Sequence, residues 1–95
     1  MKAAIKKDFL IREVAGEKVL IGSGEQVNFS KMMILNETAA FIVGILQEYA
    51  GAVSSEEIAR ELAGQFEVSF EEALEDTEKL LRTLAGAGVL NIISE

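Results

Sequence analysis

The side chains able to do chemistry in this chain are carboxylates and amines. Its 95 residues hold 16 Asp and Glu, 9 Lys and Arg, and neither His nor Cys. Without imidazole there is no ordinary general base or zinc ligand near neutral pH. Without a thiol there is no disulfide and no thiolate metal site, and the serines lack a base to activate them. The acids crowd at Glu71, Glu72, Glu75, Asp76 and Glu78. Residues three or four apart share a helix face, but hard cations need several oxygens converging, usually from a glycine-turned loop, and a solvated helix face explains the cluster. Gly22-Ser23-Gly24 and Gly86-Ala87-Gly88 each read GxG, yet neither opens a helix directly after a buried strand, as phosphate binding requires. The expectation is a binding module, not an enzyme, with no metal and no cofactor.

Charge narrows the partner. The net charge is −7, unevenly spread: residues 1–31 are net positive by two, whereas residues 32–95 carry 12 acids against three cations. Nucleic-acid binding rests on neutralising phosphates with Lys and Arg, so most of the chain would repel DNA. The start, Met1–Leu10, has no apolar stretch of signal-peptide length. The longest apolar run, Ala39–Leu46, is far too short to span a bilayer. The reading is therefore a cytoplasmic protein without a membrane partner.

The elements that must position any site change rhythm halfway. Phe9–Val14 and Lys18–Ile21 are apolar runs joined by Ala15-Gly16-Glu17, which reads as a β-hairpin. Lys31–Leu35 is a short third run and a candidate strand. The period then turns helical. Asn36 can cap a helix carrying Leu35, Ala39, Ile42, Leu46 and Tyr49 on one stripe. Ser54 with Glu57, and Ser69 with Glu72, each have the capping-box spacing. The second helix would face Ile58, Leu62 and Phe66 inward, and the third Phe70, Ala73, Leu74, Thr77, Leu81 and Leu84. Gly51 closes the first helix, Gly86 and Gly88 the third, and Val89–Ile93 is an apolar tail expected to pack back on the core. Strands followed by helices predict an α+β fold, in one domain spanning residues 1–95.

Two readings compete for that shape. Compact helices after a hairpin are the layout of a winged-helix DNA-binding domain, with the third helix as reader. Glu71–Arg82, however, holds five acids against Lys79 and Arg82, a poor charge for facing phosphates. The other reading starts from Lys31–Leu35. An edge strand leaves unpaired N–H and C=O groups that a partner peptide can complete by strand addition. Met32 and Met33 suit such a surface because thioether chains adapt to varied partners, although the same property lets methionine fill core gaps. A third reading is a structural subunit whose exposed edge pairs with its own copy as a homodimer.

Leu35-Asn36-Glu37-Thr38-Ala39-Ala40-Phe41-Ile42 resembles the LNETAAFIW stretch of PqqD-like proteins, those similar to pyrroloquinoline quinone biosynthesis protein D. Further matches fall in the same order: Val19-Leu20-Ile21, Ser55–Ala59 with Leu62, Phe66–Ser69 with Glu71–Ala73, and Leu84–Leu90. The similarity runs over residues 9–93. Val43 stands where the family often has Trp, and Gly22–Ser30 is longer than the family's connection. The resemblance implies a winged-helix-like domain, a three-stranded antiparallel sheet followed by three helices, acting as a RiPP precursor peptide recognition element. Such domains hold the leader part of a ribosomally made peptide and present it to a modifying enzyme, a radical SAM protein in the PqqD case. By the family's strand position the leader lies along Lys31, Met32, Met33 and Ile34. Beside it, as groove-facing positions of the third helix next to the Leu74/Leu81 stripe, we place Asp76, Lys79, Leu80 and Thr83.

Overall fold

The structure is a computed structural model, and it describes residues 1–22 and 32–93. Its order is β1 (Lys2–Ile5), β2 (Phe9–Val14), β3 (Glu17–Gly22), β4 (Met33–Leu35), α1 (Glu37–Glu48), β5 (Val53–Ser54), α2 (Ser55–Gln65), α3 (Phe70–Gly86) and β6 (Leu90–Ile93). The predicted hairpin and third strand form one antiparallel sheet in the order β2-β3-β4. The turn is tighter than the sequence reading had it. Glu17 belongs to β3, opposite Val14, leaving a two-residue turn of Ala15 and Gly16 with φ of 52° and 82°. Positive φ at both positions matches the twist of the flanking strands, and glycine takes it without strain.

A second sheet, β5-β1-β6, was not anticipated. β1 lies between its neighbours and pairs antiparallel with both. The tail expected to pack on the core is half of that: Val89 and Leu90 are buried, while Asn91, Ile92 and Ile93 are exposed on the β6 strand.

The helix starts follow the predicted caps. Asn36 Oδ1 accepts from the Ala39 N–H at 2.8 Å, Ser54 Oγ from Glu57 N–H at 3.1 Å and Ser69 Oγ from Glu72 N–H at 3.1 Å. Each supplies one of the donors that a helix start leaves unpaired. The Glu57 carboxylate does not close the capping box but accepts from the Tyr49 hydroxyl at 3.3 Å.

The core is shared by all three helices and both sheets. It is built on Leu20, Ile42, Val43, Leu46, Ile58, Leu62, Leu81, Leu84 and Leu90, with Ala3 and Val53 from the second sheet. Inward positions of α1 include Val43 and Ile45 beside the predicted stripe, whereas Tyr49 is exposed. On α3, Ala73, Thr77, Leu81 and Leu84 are buried, but Phe70 at the first turn is exposed. The last turn of α1 is tied to β2 by Gln47 Nε2, which donates to the Phe9 carbonyl at 3.0 Å. Mixed helix and sheet with three helices and two small antiparallel sheets makes this an α+β domain of winged-helix-like form. No described helix is long and apolar enough to cross a membrane.

Candidate functional site

β4 is short because its backbone turns into α1 after Leu35. It pairs with β3 through Lys18↔Leu35, Val19↔Ile34 and Leu20↔Met33. Among the described residues its other edge has no strand partner. Alternation along the strand sorts the side chains: Leu35 is buried, Met33 is half-buried against the core, and Ile34 on the opposite face is 69% exposed. Met32 just before the strand is 39% exposed. The two methionines thus divide between the roles weighed for them, Met33 packing inward and Met32 facing solvent. Lys31 lies outside the described residues.

Asn36 carries the extended backbone one residue further, with φ −73° and ψ 176°, and leads from the strand edge directly into a cleft between α1 and α3. This cleft, of about 350 Å³, is lined by Asn36, Thr38, Ala39 and Ile42 on one wall and by Asp76, Lys79, Leu80 and Thr83 on the other. The four α3 positions chosen from sequence are therefore brought together on one wall, at spacings of three, one and three that place them on one helical face. Leu80 is half-buried, and Asp76, Lys79 and Thr83 are exposed. The Thr83 hydroxyl donates to the Lys79 carbonyl at 3.1 Å, which fixes its direction. Asp76 and Lys79 form no ion pair among the described residues.

The α1 wall was not singled out from sequence. Its signal was present but pointed elsewhere: Ala39 and Ile42 read as core stripe and Asn36 as a cap. All three do both jobs, and Ile42, only 2% exposed, forms the cleft floor from within the core.

No group of His, Cys, Asp and Glu able to hold a metal ion is found among the described residues. The shifted acids lie away from the cleft. Tyr49 is raised above the usual phenol value, chiefly by the negative charge of Glu57. Glu56 is lowered below the usual carboxylate value, first by the hydrogen bond from Ser55. The Ser55 hydroxyl is buried and lies 2.9 Å from both Glu56 Oε1 and Glu78 Oε2, and the Met1 amino group is 3.6 Å from Glu56. These contacts join α2, α3 and the start of β1, a structural task.

Fold and site together define a class: a small winged-helix-like α+β domain in which a strand edge without a partner among the described residues leads into a helix-walled cleft. The family model of coenzyme PQQ synthesis protein D (PqqD) matches residues 17–90, and the chain belongs to that family. No curated protein matches it. Solved structures of the same fold include TbiB1 in complex with the TbiA(beta) leader peptide, at TM-score 0.73 and 20% identity over 97% of this chain and 99% of that one. Lasso peptide synthetase B1 complexed with the leader peptide is also similar, at TM-score 0.69 and 23% identity over 95% and 98%.

Proposed function

We propose that this protein is a non-catalytic peptide-binding module. It captures the leader of a ribosomally made precursor peptide and presents it to a modifying enzyme, of radical SAM type by analogy with PqqD. The leader adds as a strand to the free edge of β4, and its side chains enter the cleft between α1 and α3. The observation that carries this reading is the continuity of that edge with the cleft through Asn36. Main-chain bonds to Met32, Met33 and Ile34 would supply affinity, and the cleft would supply choice. Leu80 and Ala39 offer apolar surface to one side chain, and Lys79 and Asp76 offer charge to its neighbours. That the similarly folded TbiB1 and lasso synthetase B1 are complexed with leader peptides supports the same reading.

Calorimetric and amide-NMR titration with the leader of the precursor encoded beside the gene tests it. Binding at micromolar or tighter, with shifts confined to Met32–Leu35 and Asp76–Thr83, is expected. Adjacent N–H groups of a strand point to opposite edges, so of Ile34→Pro and Met33→Pro one strips an outward donor; it should abolish binding while helical circular dichroism persists. Lys79→Glu should weaken the leader about tenfold or more without moving the melting temperature. A folded domain that binds no such leader, or binds equally well after both proline substitutions, would sink the proposal.

The exposed Ile34 on a free edge favours one other occupant, the β4 of a second copy. Concentration-dependent sedimentation of the chain alone, suppressed by Ile34→Pro, would support that reading. DNA retardation that fades steeply with salt would support the winged-helix alternative, against which stand the exposed acids Glu71, Glu72, Glu75 and Asp76 on α3.

A further inference from the structure

α1 has a second cleft on its other flank. At about 100° of turn per residue, Thr38, Ala39 and Ile42 fall on the side facing α3, and Glu37, Ala40 and Phe41 on the opposite side. The latter line a cleft of about 890 Å³ beneath the tip of the β2–β3 hairpin, closed at its far end by the last turn of α2. Its floor is apolar and aromatic. Leu35 and Ala40 are buried, and the half-buried Phe41 and Phe66 meet edge to face, with ring centres 5.5 Å apart and planes at 82°. Its rim is acidic: Glu13, Glu17 and Glu37, all exposed, against Lys18.

The register sets Lys18 opposite Glu13, yet none of these four charges is in an ion pair among the described residues. The rim therefore carries net negative charge beside an aromatic floor. A cation gains from both features at once, by charge-assisted hydrogen bonds to the carboxylates and by attraction to the ring faces. An acidic or purely aliphatic occupant gains from one or neither.

We propose that this cleft docks an arginine- or lysine-bearing apolar segment of the enzyme that receives the bound leader. The inference rests on the presentation role proposed above, because it takes that enzyme as the occupant. Leader and enzyme would then sit on opposite flanks of α1 and meet at the β4–Asn36 junction, which borders both clefts. Neither would have to displace the other.

The experiment measures the affinity of the full chain for the purified modifying enzyme encoded beside its gene, and in parallel for the leader, using wild type and Glu17→Lys/Glu37→Lys. The charge reversal is expected to weaken the enzyme about tenfold or more and to leave the leader affinity unchanged, while lowering the melting temperature slightly, because it puts a cation in the first turn of α1 at the positive end of the helix dipole. The wild-type interaction should weaken as salt rises, and that of the variant should not. Phe66→Leu, which keeps the floor apolar but removes the ring, should weaken the enzyme severalfold and again spare the leader. A wild-type chain without affinity for the enzyme, or enzyme binding indifferent to the reversal, overturns the proposal. So does a reversal that changes the sedimentation of the chain alone, since the cleft would then hold a second copy. Loss of leader binding in the wild type would instead sink the presentation role, and is read separately.

Discussion

The two flanks of α1 present opposite kinds of surface on one helix. The side facing α3 has helical walls on both sides, anchored in the core by Ile42 and Leu81, and its charges, Asp76 and Lys79, are balanced. The side facing the hairpin has a strand-ribbon wall that β4 supports only as far as Lys18, and its rim is acidic. A cleft with a helical wall on each side would hold one extended peptide in one register. A wider one under a projecting turn, with few buried apolar neighbours, belongs to the locally less stable part of a fold and can adjust to a bulkier guest. On the reading proposed above, leader readout and enzyme docking would be separated by about half a helical turn.

The largest expected effect would break this contrast if it failed. Ile42→Ala removes core volume as well as cleft floor and should cost about 2–5 kcal/mol in urea unfolding. Phe41→Ala, on the other flank and half-buried, should cost clearly less. An equal cost would make the hairpin flank part of the core and not a cleft. Next is the cap common to both flanks. Asn36→Ala should cost about 1 kcal/mol, and Asn36→Asp should restore it, because either side chain accepts the Ala39 N–H.

A smaller effect sharpens the picture of the α3 wall. Thr77 is fully buried and its hydroxyl oxygen has no hydrogen-bond partner among the described residues. Thr77→Val keeps the shape and removes the unpaired group, so stability should hold or rise by about 1 kcal/mol, with leader affinity unchanged. Smallest is the pH dependence at the start of α2, the helix that carries the far wall of the hairpin cleft. Because Glu56 is held below its ordinary value of 4.5, its stabilisation is present above that pH and is lost as pH falls through the lowered value. Glu56→Gln should therefore lower the plateau near neutrality slightly and flatten the acid limb of a stability–pH curve, the two proteins converging at low pH.

The parts of the fold legible in the sequence were those whose cause is local. Asn36, Ser54 and Ser69 announce their helices because a cap and the N–H it satisfies lie three residues apart. Phe9–Val14 and Lys18–Ile21 announce themselves as apolar runs on either side of a glycine-containing turn, although the turn proved one residue shorter than read. β1 was invisible for the opposite reason. Lys2-Ala3-Ala4-Ile5 has little strand propensity, and it becomes a central strand with Ala3 buried only through β5 and β6, from distant parts of the chain, which pair on its two edges, and α1, which packs against it. The candidate site divides the same way. Asp76, Lys79, Leu80 and Thr83 could be set on one face by counting along α3, whereas the opposing Thr38, Ala39 and Ile42 depend on how two helices pack. The hairpin cleft draws on residues from 13 to 66, and no periodicity in the sequence encodes such a meeting.

The pairing of Lys2 with Ile93 has a consequence for how the domain can be used as a part. The chain enters and leaves the fold on adjacent strands, whose backbones lie about 5 Å apart, so the body between them behaves as a closed loop hung from one point. Spliced into a surface turn of another protein, it would ask the host to open by no more than a strand spacing. An enzyme could carry such a module internally, not only at an end, with both flanks of α1 still free.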